Sequence, residues 1–324
     1  MESLVPLTQA LRKHFSWHEA RITCLVSMLA GVFACQSVNT YRLAQRLGGT
    51  AQFASRAQRI RRFLKDQAFD WNAVGKLLLC LACVGEKQVT VLVDRTNWDF
   101  GKHRINFLVI SVVVGKLAVP VVWEQLNKKG NSNTKERLSL LNRFLAIVPA
   151  SRIRCLLGDR EFIGNHWLKA LRRRKIPYAL RLRDNLIVAL PGGGTATIRH
   201  LANDMQSRQR QDWPRVTLGN VKTALSVMRL KDGKLLAVAH YGLGKRDPLT
   251  LYRERWKIEM LFACLKRKGF NLEDTHLTHK DRLEKIFAVA AIAAAWTLQA
   301  GQRSAAPSPK KTTATAPVPS SCAA

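Results

Sequence analysis

The spacing of apolar and polar residues changes character along the chain. Through residue 85 or so, apolar side chains recur at helical intervals, glycine is sparse and no strand alternation occurs, which predicts an all-helical region with starts at Asn39 and Ser55. From residue 88 the pattern turns to β, with strands expected at 88–94, 105–114 and 117–123, the last two joined by a Gly115-Lys116 turn. A leucine-rich helix over 134–147, a buried strand over 153–159, a helix over 165–174 and a strand over 177–182 follow. That order predicts an α/β fold, a mixed sheet with helices packed on it.

Residues 183–233 are less regular, with a Pro191-Gly192-Gly193-Gly194 turn and scattered β-branched residues, and read as a β-rich insertion. A strand over 235–240, a helix around Tyr252 and an apolar helix over 283–300 complete the ordered part. From Gly301 the chain is Ala, Pro, Ser, Thr and Lys with little apolar bulk, which predicts a disordered tail. The expected organisation is a helical region over 1–86, a core over 87–182 and 234–300, the insertion over 183–233 and the tail over 301–324. The apolar stretches 22–38 and 286–300 both fall short of the roughly 20 residues of a spanning helix, so no membrane association is expected.

One segment carries an unusual polar pattern. If 252–266 is a single helix at about 100° per residue, Tyr252, Arg255, Glu259 and Lys266 share an arc of roughly 60°. Ile258, Leu261, Phe262 and Leu265 form an apolar stripe beside it, and Glu254 lies nearly opposite the polar one. Glu259 is therefore the carboxylate that works with the Tyr, Arg and Lys; an ordinary surface pairing with Arg255 is the simpler alternative.

Charge narrows the partner. The chain has 324 residues, 47% of them hydrophobic, and its 53 Lys and Arg against 22 Asp and Glu give a net charge of +31. Such a field attracts polyanions, and nucleic acid leads over a ribosomal or membrane surface. Arg56, Arg59, Arg61, Arg62 and Lys65 crowd one predicted helix with no acid between Arg42 and Lys65 to pair with them. This favours a phosphate-contacting helix over a merely solvated face. Seven cysteines without regular spacing point to a reducing, cytoplasmic setting. Cys80 and Cys83 form a CxxC within an apolar run and read as buried small hydrophobes rather than a zinc or redox pair. The histidines, including His276 and His279, form no ligand cluster.

Asp94 and Asp159 each close a predicted apolar strand, where side chains from separate strands converge. Alone, either acid merely starts a turn. Together with Glu259 they make an oxygen-rich set whose mutual repulsion calls for cations, and hard ions such as Mg²⁺ or Mn²⁺ suit it. Two such ions support phosphoryl transfer, here on nucleic acid. Asp99 and Asp184 are weaker substitutes, one past its strand end and the other after a basic turn.

Val91-Leu92-Val93-Asp94-Arg95-Thr96-Asn97-Trp98, Leu157-Gly158-Asp159 and the set Tyr252-x2-Arg255-x3-Glu259-x6-Lys266 resemble the DDE transposases of bacterial cut-and-paste insertion sequences, specifically the insertion-sequence-four group with its YREK signature. The resemblance spans roughly 10–296. It implies a ribonuclease-H-like catalytic core with a β-rich insertion behind an all-helical N-terminal DNA-binding domain, residues 1–86, with Asp94, Asp159 and Glu259 as catalytic, metal-binding triad. It further implies Mg²⁺, with Mn²⁺ as substitute and two ions bound, and DNA partners in the form of terminal inverted repeats and target. A homodimer would hold the ends, and the protein would be nucleoid-associated when bound. Tyr252, Arg255 and Lys266 would contact phosphates near the element's end. Trp213 would stack on an extruded base, although a solitary Trp is more often core. The same resemblance leads Trp256 to be read either with Arg255 or as packing under the Asp94 strand. The Asp159-to-Glu259 interval, 259 − 159 = 100 residues, is short for the group. The expected activity is metal-dependent cleavage at transposon ends and strand transfer. The alternatives are a nuclease without strand transfer or an inactive, domesticated DNA-binding relative.

Overall fold

The structure, a computed structural model, describes residues 4–304. The chain opens with α1 (Val5–His14), α2 (Glu19–Cys35), α3 (Thr40–Arg46), α4 (Phe53–Asp66) and α5 (Trp71–Leu81). Asn39 caps α3 by accepting from the Tyr41 and Arg42 amides, and Asp70 caps α5 through Asn72 and Ala73. Each such cap contributes about 1 kcal/mol. The expected start at Ser55 is displaced to Phe53, because Gln52 takes the cap position without a side-chain bond and Phe53 packs against Tyr41, ring centroids 4.9 Å apart.

The sheet begins with β1 (Val89–Phe100), β2 (His103–Val114) and β3 (Leu117–Gln125), an antiparallel meander. It continues through α6 (Thr134–Leu145), β4 (Ile153–Gly158), α7 (Asn165–Arg173) and β5 (Tyr178–Arg181). The capping box of Asn133 and Glu136 starts α6. β4 runs parallel to β1 and to β5, so each crossover requires a helix, and α6 and α7 supply them.

Residues 183–233 extend this sheet. β6 (Ile187–Ala189), β7 (Thr195–Thr197), the short α8 (Ile198–Leu201), β8 (Arg210–Leu218) and β9 (Val221–Arg229) join through β10 (Leu235–Tyr241), which pairs antiparallel with β5. The result is one ten-stranded sheet in the order β3-β2-β1-β4-β5-β10-β9-β8-β6-β7. The chain then forms α9 (Pro248–Arg253), α10 (Trp256–Ala263) and α11 (Lys280–Ser304).

α11 organises the β3 side of the molecule. Residues Ile286–Ala293 are fully buried, and the helix packs on α2, α4, α5 and β3. Phe287 lies against Phe107 and Trp123, with centroids 4.9 and 4.8 Å apart. The buried Lys285 ammonium donates to the Leu64 carbonyl at 3.1 Å and pairs with Asp281 at 2.6 Å, so a cation sits at the negative end of α4. The expected helix 283–300 is thus longer at both ends, and Gly301–Ser304, expected in the tail, are helical. The remainder of the predicted tail lies outside the described residues. Contrary to expectation, Lys280–Gly301 is long and apolar enough to cross a membrane by length and composition. Burial of 67% of that window makes it a core helix instead.

Candidate active site

The site is built on two adjacent parallel strands. Val93 is in register with Gly158, so Asp94 and Asp159 follow side by side. Asp94 does not close its strand as expected: β1 continues to Phe100, paired only with β2 beyond that point. The edge at which the two acids meet is made by β4, which stops at Gly158. Burial follows suit, since Val89–Val93 lie between two strands and are buried, whereas from Asp94 onward exposed positions interrupt the run. A Cβ on Gly158 would meet the Leu180 and Val93 side chains at 3.0 Å, so any larger residue requires β4's neighbours to give by a few tenths of an ångström there.

Tyr252, Arg255, Glu259 and Lys266 do not lie on one α-helix. Asp247 caps α9 by accepting from the Thr250 amide at 2.8 Å, with Pro248 at the first helical turn. At Glu254 and Arg255 the backbone tightens to i→i−3 bonding: Glu254 to Leu251, Arg255 to Tyr252, Lys257 to Glu254 and Ile258 to Arg255. After α10 the chain loosens into a π-helical turn over Cys264–Lys268. The constant 100° step assumed from spacing therefore fails twice.

The stripe converges nonetheless. Tyr252 donates its hydroxyl proton to Asp159 Oδ1 at 3.3 Å. Arg255 Nη1 donates to Asp94 Oδ2 at 3.0 Å, and its Nη2 donates to Glu259. One guanidinium thus bridges two of the three carboxylates. Glu254 faces elsewhere, pairing with Arg154 at 3.6 Å and Lys257 at 3.5 Å. Lys266 is tethered to the Asn97 carbonyl at 2.8 Å and Glu273 at 2.9 Å. With Arg95, Asn97, Glu259 and Arg267 it lines a groove of about 440 Å³ running off the site. Trp256 does not pack under β1, being 63% exposed.

Burial dominates the electrostatics. It pushes the Asp94 carboxyl up to about 6, against the Arg95 amide and Arg255 charge that favour ionisation, while Asp159 and Glu161 add repulsion. Burial also raises the Tyr252 hydroxyl, so it stays protonated and able to donate. For Arg255 burial opposes the charge but is outweighed by Tyr252, Asp94, Glu259 and Asp159, and its pKa rises further.

Three neighbours escaped the sequence reading. Arg181, at the end of β5, lies 3.9 Å from Asp159. Arg95 ties the catalytic strand to Glu161 at 2.7 Å, to Asn106 at 3.0 Å, to the Gly130 carbonyl at 2.7 Å and to Asn131 at 2.9 Å. Glu161 also accepts from Ser132 Oγ at 2.8 Å. The only available signals were adjacency in sequence, Arg95 to Asp94 and Glu161 to Asp159.

Other expected residues lie away from this centre. Asp99 pairs with Arg104 at 3.1 Å and Asp184 with Arg199 at 2.9 Å. His276 stacks on Phe100. Trp213, on β8, is half-buried against the core. Arg56 donates to the Leu47 carbonyl at 2.7 Å and so fastens α3 to α4. Arg59 and Arg62 are exposed and, with Arg21, line a groove of about 640 Å³ between α2 and α4. Lys65 is exposed on the same helix. Cys80 and Cys83 are exposed, not buried, because α5 ends there and turns them off its packed face.

Among the described residues no three His, Cys, Asp or Glu side chains form a ready-made metal centre. The donor chemistry nonetheless fits a hard divalent ion: two carboxylates stand side by side, a third is linked through Arg255, and Asp94 is under-neutralised. No curated protein matches the chain. A family model for the transposase DDE domain matches residues 85–296, well over half the chain and the span that contains every element of this site. The matched span takes in the mixed sheet with its paired aspartates and the Tyr252–Glu259 helices that close over them, and the chain belongs to the transposase DDE-domain family.

Proposed function

We propose that the protein is a cut-and-paste DNA transposase of the insertion-sequence-four, YREK type, with a ribonuclease-H-like core formed by β3-β2-β1-β4-β5. The observation that carries this reading is the convergence of Asp94, Asp159 and Glu259 through Tyr252 and Arg255 within the family match. The reaction is attack of water on the phosphodiester at the element's end. A new phosphorus–oxygen bond forms, the bond to the 3′ oxygen breaks, and that oxygen takes a proton. The freed 3′ hydroxyl then displaces a 3′ oxygen of target DNA at phosphorus in the same manner.

Asp94, Asp159 and Glu259 would hold Mg²⁺ or Mn²⁺, as two ions, supplying neutralisation of phosphate charge and activation of the attacking oxygen. Arg255 holds Asp94 and Glu259 in one orientation, and its fork suits a phosphate's paired oxygens. Tyr252, kept protonated by burial, donates its one hydroxyl proton to Asp159, and would turn that proton to a phosphate oxygen once a metal ion takes over the Asp159 carboxylate. Lys266, Arg95 and Arg267 make the groove beyond Glu259 a track for the strand. Arg59, Arg62 and Lys65 on α4, with Arg21, offer a separate cationic surface for DNA beyond the active site. In this reading two copies hold the paired ends, and the protein works on cytoplasmic DNA.

The test uses duplexes copied from the DNA flanking the reading frame, with Mg²⁺ or Mn²⁺, and the Asp94→Ala protein as control. End-specific nicking by the wild type alone is expected, followed by joining to a plasmid target. Nicking without joining would indicate a nuclease. Equal products from both proteins would sink the triad assignment, and binding without nicking would indicate an inactive relative.

A further inference from the structure

A second cationic cleft, of about 730 Å³, lies on the β8–β10 side of the sheet. Arg172, Arg215, Lys222 and Arg246 line it, together with Tyr241. Arg172 is held over the Tyr241 ring, 4.5 Å from its centroid, and donates to the Lys222 carbonyl, so its charge is fixed at the cleft. Arg215, Lys222 and Arg246 are exposed. Among the described residues none of the four makes an ion pair, and no carboxylate lines the cleft. Asp212 and Asp247, on the neighbouring strand and turn, are both taken by Arg210, the first at 2.8 Å.

The cleft is not an extension of the carboxylate site. Tyr241 pairs with Tyr178, where β5 begins, whereas Arg181, where β5 finishes, faces Asp159. Three residues of strand, about 10 Å, separate those two ends. Four unpaired cations repel one another unless an anion comes between them, and a free carboxylate on this surface would have relieved that cost. Arginine forks and a lysine around an aromatic ring match phosphates joined by apolar sugars.

We propose that this cleft docks a DNA phosphodiester backbone at a place separate from the strand held at the carboxylates. The inference rests on DNA being the protein's partner. The backbone is that of the same terminal duplex whose strand lies at the carboxylates, because the about 10 Å along β5 between the two places is spanned by about three base-pair steps; a second duplex is the other outcome of the measurement.

The experiment follows fluorescence anisotropy of labelled duplexes with the full chain and with the Arg215→Gln/Lys222→Gln protein across a salt series. Removing two cations that each neutralise a phosphate should reduce the slope of log affinity against log salt by about 1.8 and weaken binding roughly tenfold. A loss on the terminal-sequence duplex alone supports the flank as the source. A loss only on an unrelated duplex added to the preformed terminal complex supports a second duplex. Unchanged affinities and slopes on both overturn the proposal. Arg246→Gln, in an exposed turn, repeats the measurement if the double variant unfolds at a lower temperature than wild type. Slopes that change while no metal-dependent nicking occurs refute the cleavage reading and leave the cleft standing; intact nicking with unchanged slopes does the reverse.

Discussion

Arg255 reaches Asp94 at 3.0 Å with one nitrogen while its other terminal nitrogen holds Glu259. The pair is mostly buried, with 11% and 18% of the two side chains exposed, so the arginine sets the direction of two proposed catalytic carboxylates before any substrate arrives. Burial disfavours the Asp94 charge even so, and Asp159 and Glu161 add repulsion to it.

Asp94→Asn is expected to stabilise the fold by about 1 kcal/mol at neutral pH while abolishing DNA cleavage. The substitution removes a desolvated charge beside two other acids and keeps an oxygen for the Arg95 amide, while the amide nitrogen that replaces Oδ2 gives up the Arg255 bond and limits the gain to that size. Urea unfolding of both proteins checks it, and an unfolding midpoint lower than wild type would count against the repulsion argument.

Gly158→Ala should separate the two aspartates without altering any charge. The added methyl meets Leu180 and Val93 at 3.0 Å and Phe162 at 3.1 Å, which forces β4 away from β1. The expected cost is about 2 kcal/mol in stability. Activity should fall on the order of 10²-fold through misplacement. Nicking rates measured well below the unfolding temperature separate the two effects.

Glu161→Ala should act at a distance from the chemistry. It leaves the Arg95 guanidinium partly buried without its carboxylate and removes the acceptor of Ser132, so the 128–132 loop loses its Ser132 anchor and keeps only the bonds of Arg95 to Gly130 and Asn131, made by a guanidinium no longer held by Glu161. A loss of about 3 kcal/mol is expected. Trypsin should then cut at Lys128 or Lys129 faster than in wild type; equal cleavage rates would show that the loop is held by other contacts.

His240 sets an acid limit on stability. Burial lowers its pKa below the ordinary value, with Asp212 and Asp247 acting against that and Arg210 with it, while Ser226 lies 3.1 Å from Nε2. Because the folded form binds the proton less readily than the unfolded form, the contribution is present above the unfolded value of about 6.5 and is lost as pH falls through the lower folded one. His240 therefore lowers the melting temperature as the pH falls below about 6.5, against the opposite contribution of Asp94, whose raised carboxyl takes up its proton near 6 in the folded form. His240→Gln should flatten that fall, and an unchanged profile would remove His240 as its source.

What the sequence by itself determined is what nearest neighbours in the chain decide. The helical character of the first 85 residues, the β1–β3 meander and the α6–β4–α7–β5 succession follow from apolar spacing, from caps such as Asn39 and from the Gly115 turn, all local in origin, whereas the division of that first region into five helices was not read from the sequence. The residue types of the site were legible for the same reason, because Tyr252, Arg255, Glu259 and Lys266 keep fixed intervals. The tertiary structure alone decided where Asp94 stands, since the edge beside it exists only because β4 stops at Gly158. It alone decided that residues 187–229 lengthen the central sheet, a matter of long-range pairing through β10. The stripe around Tyr252 shows the division most sharply. Its residues are read from spacing, but the backbone tightens at Arg255 and loosens at Lys266, the two places where the side chains reach out of the helix, to Asp94 in one case and to Asn97 in the other. Those partners lie more than 160 residues away, and no helical period carries information about them.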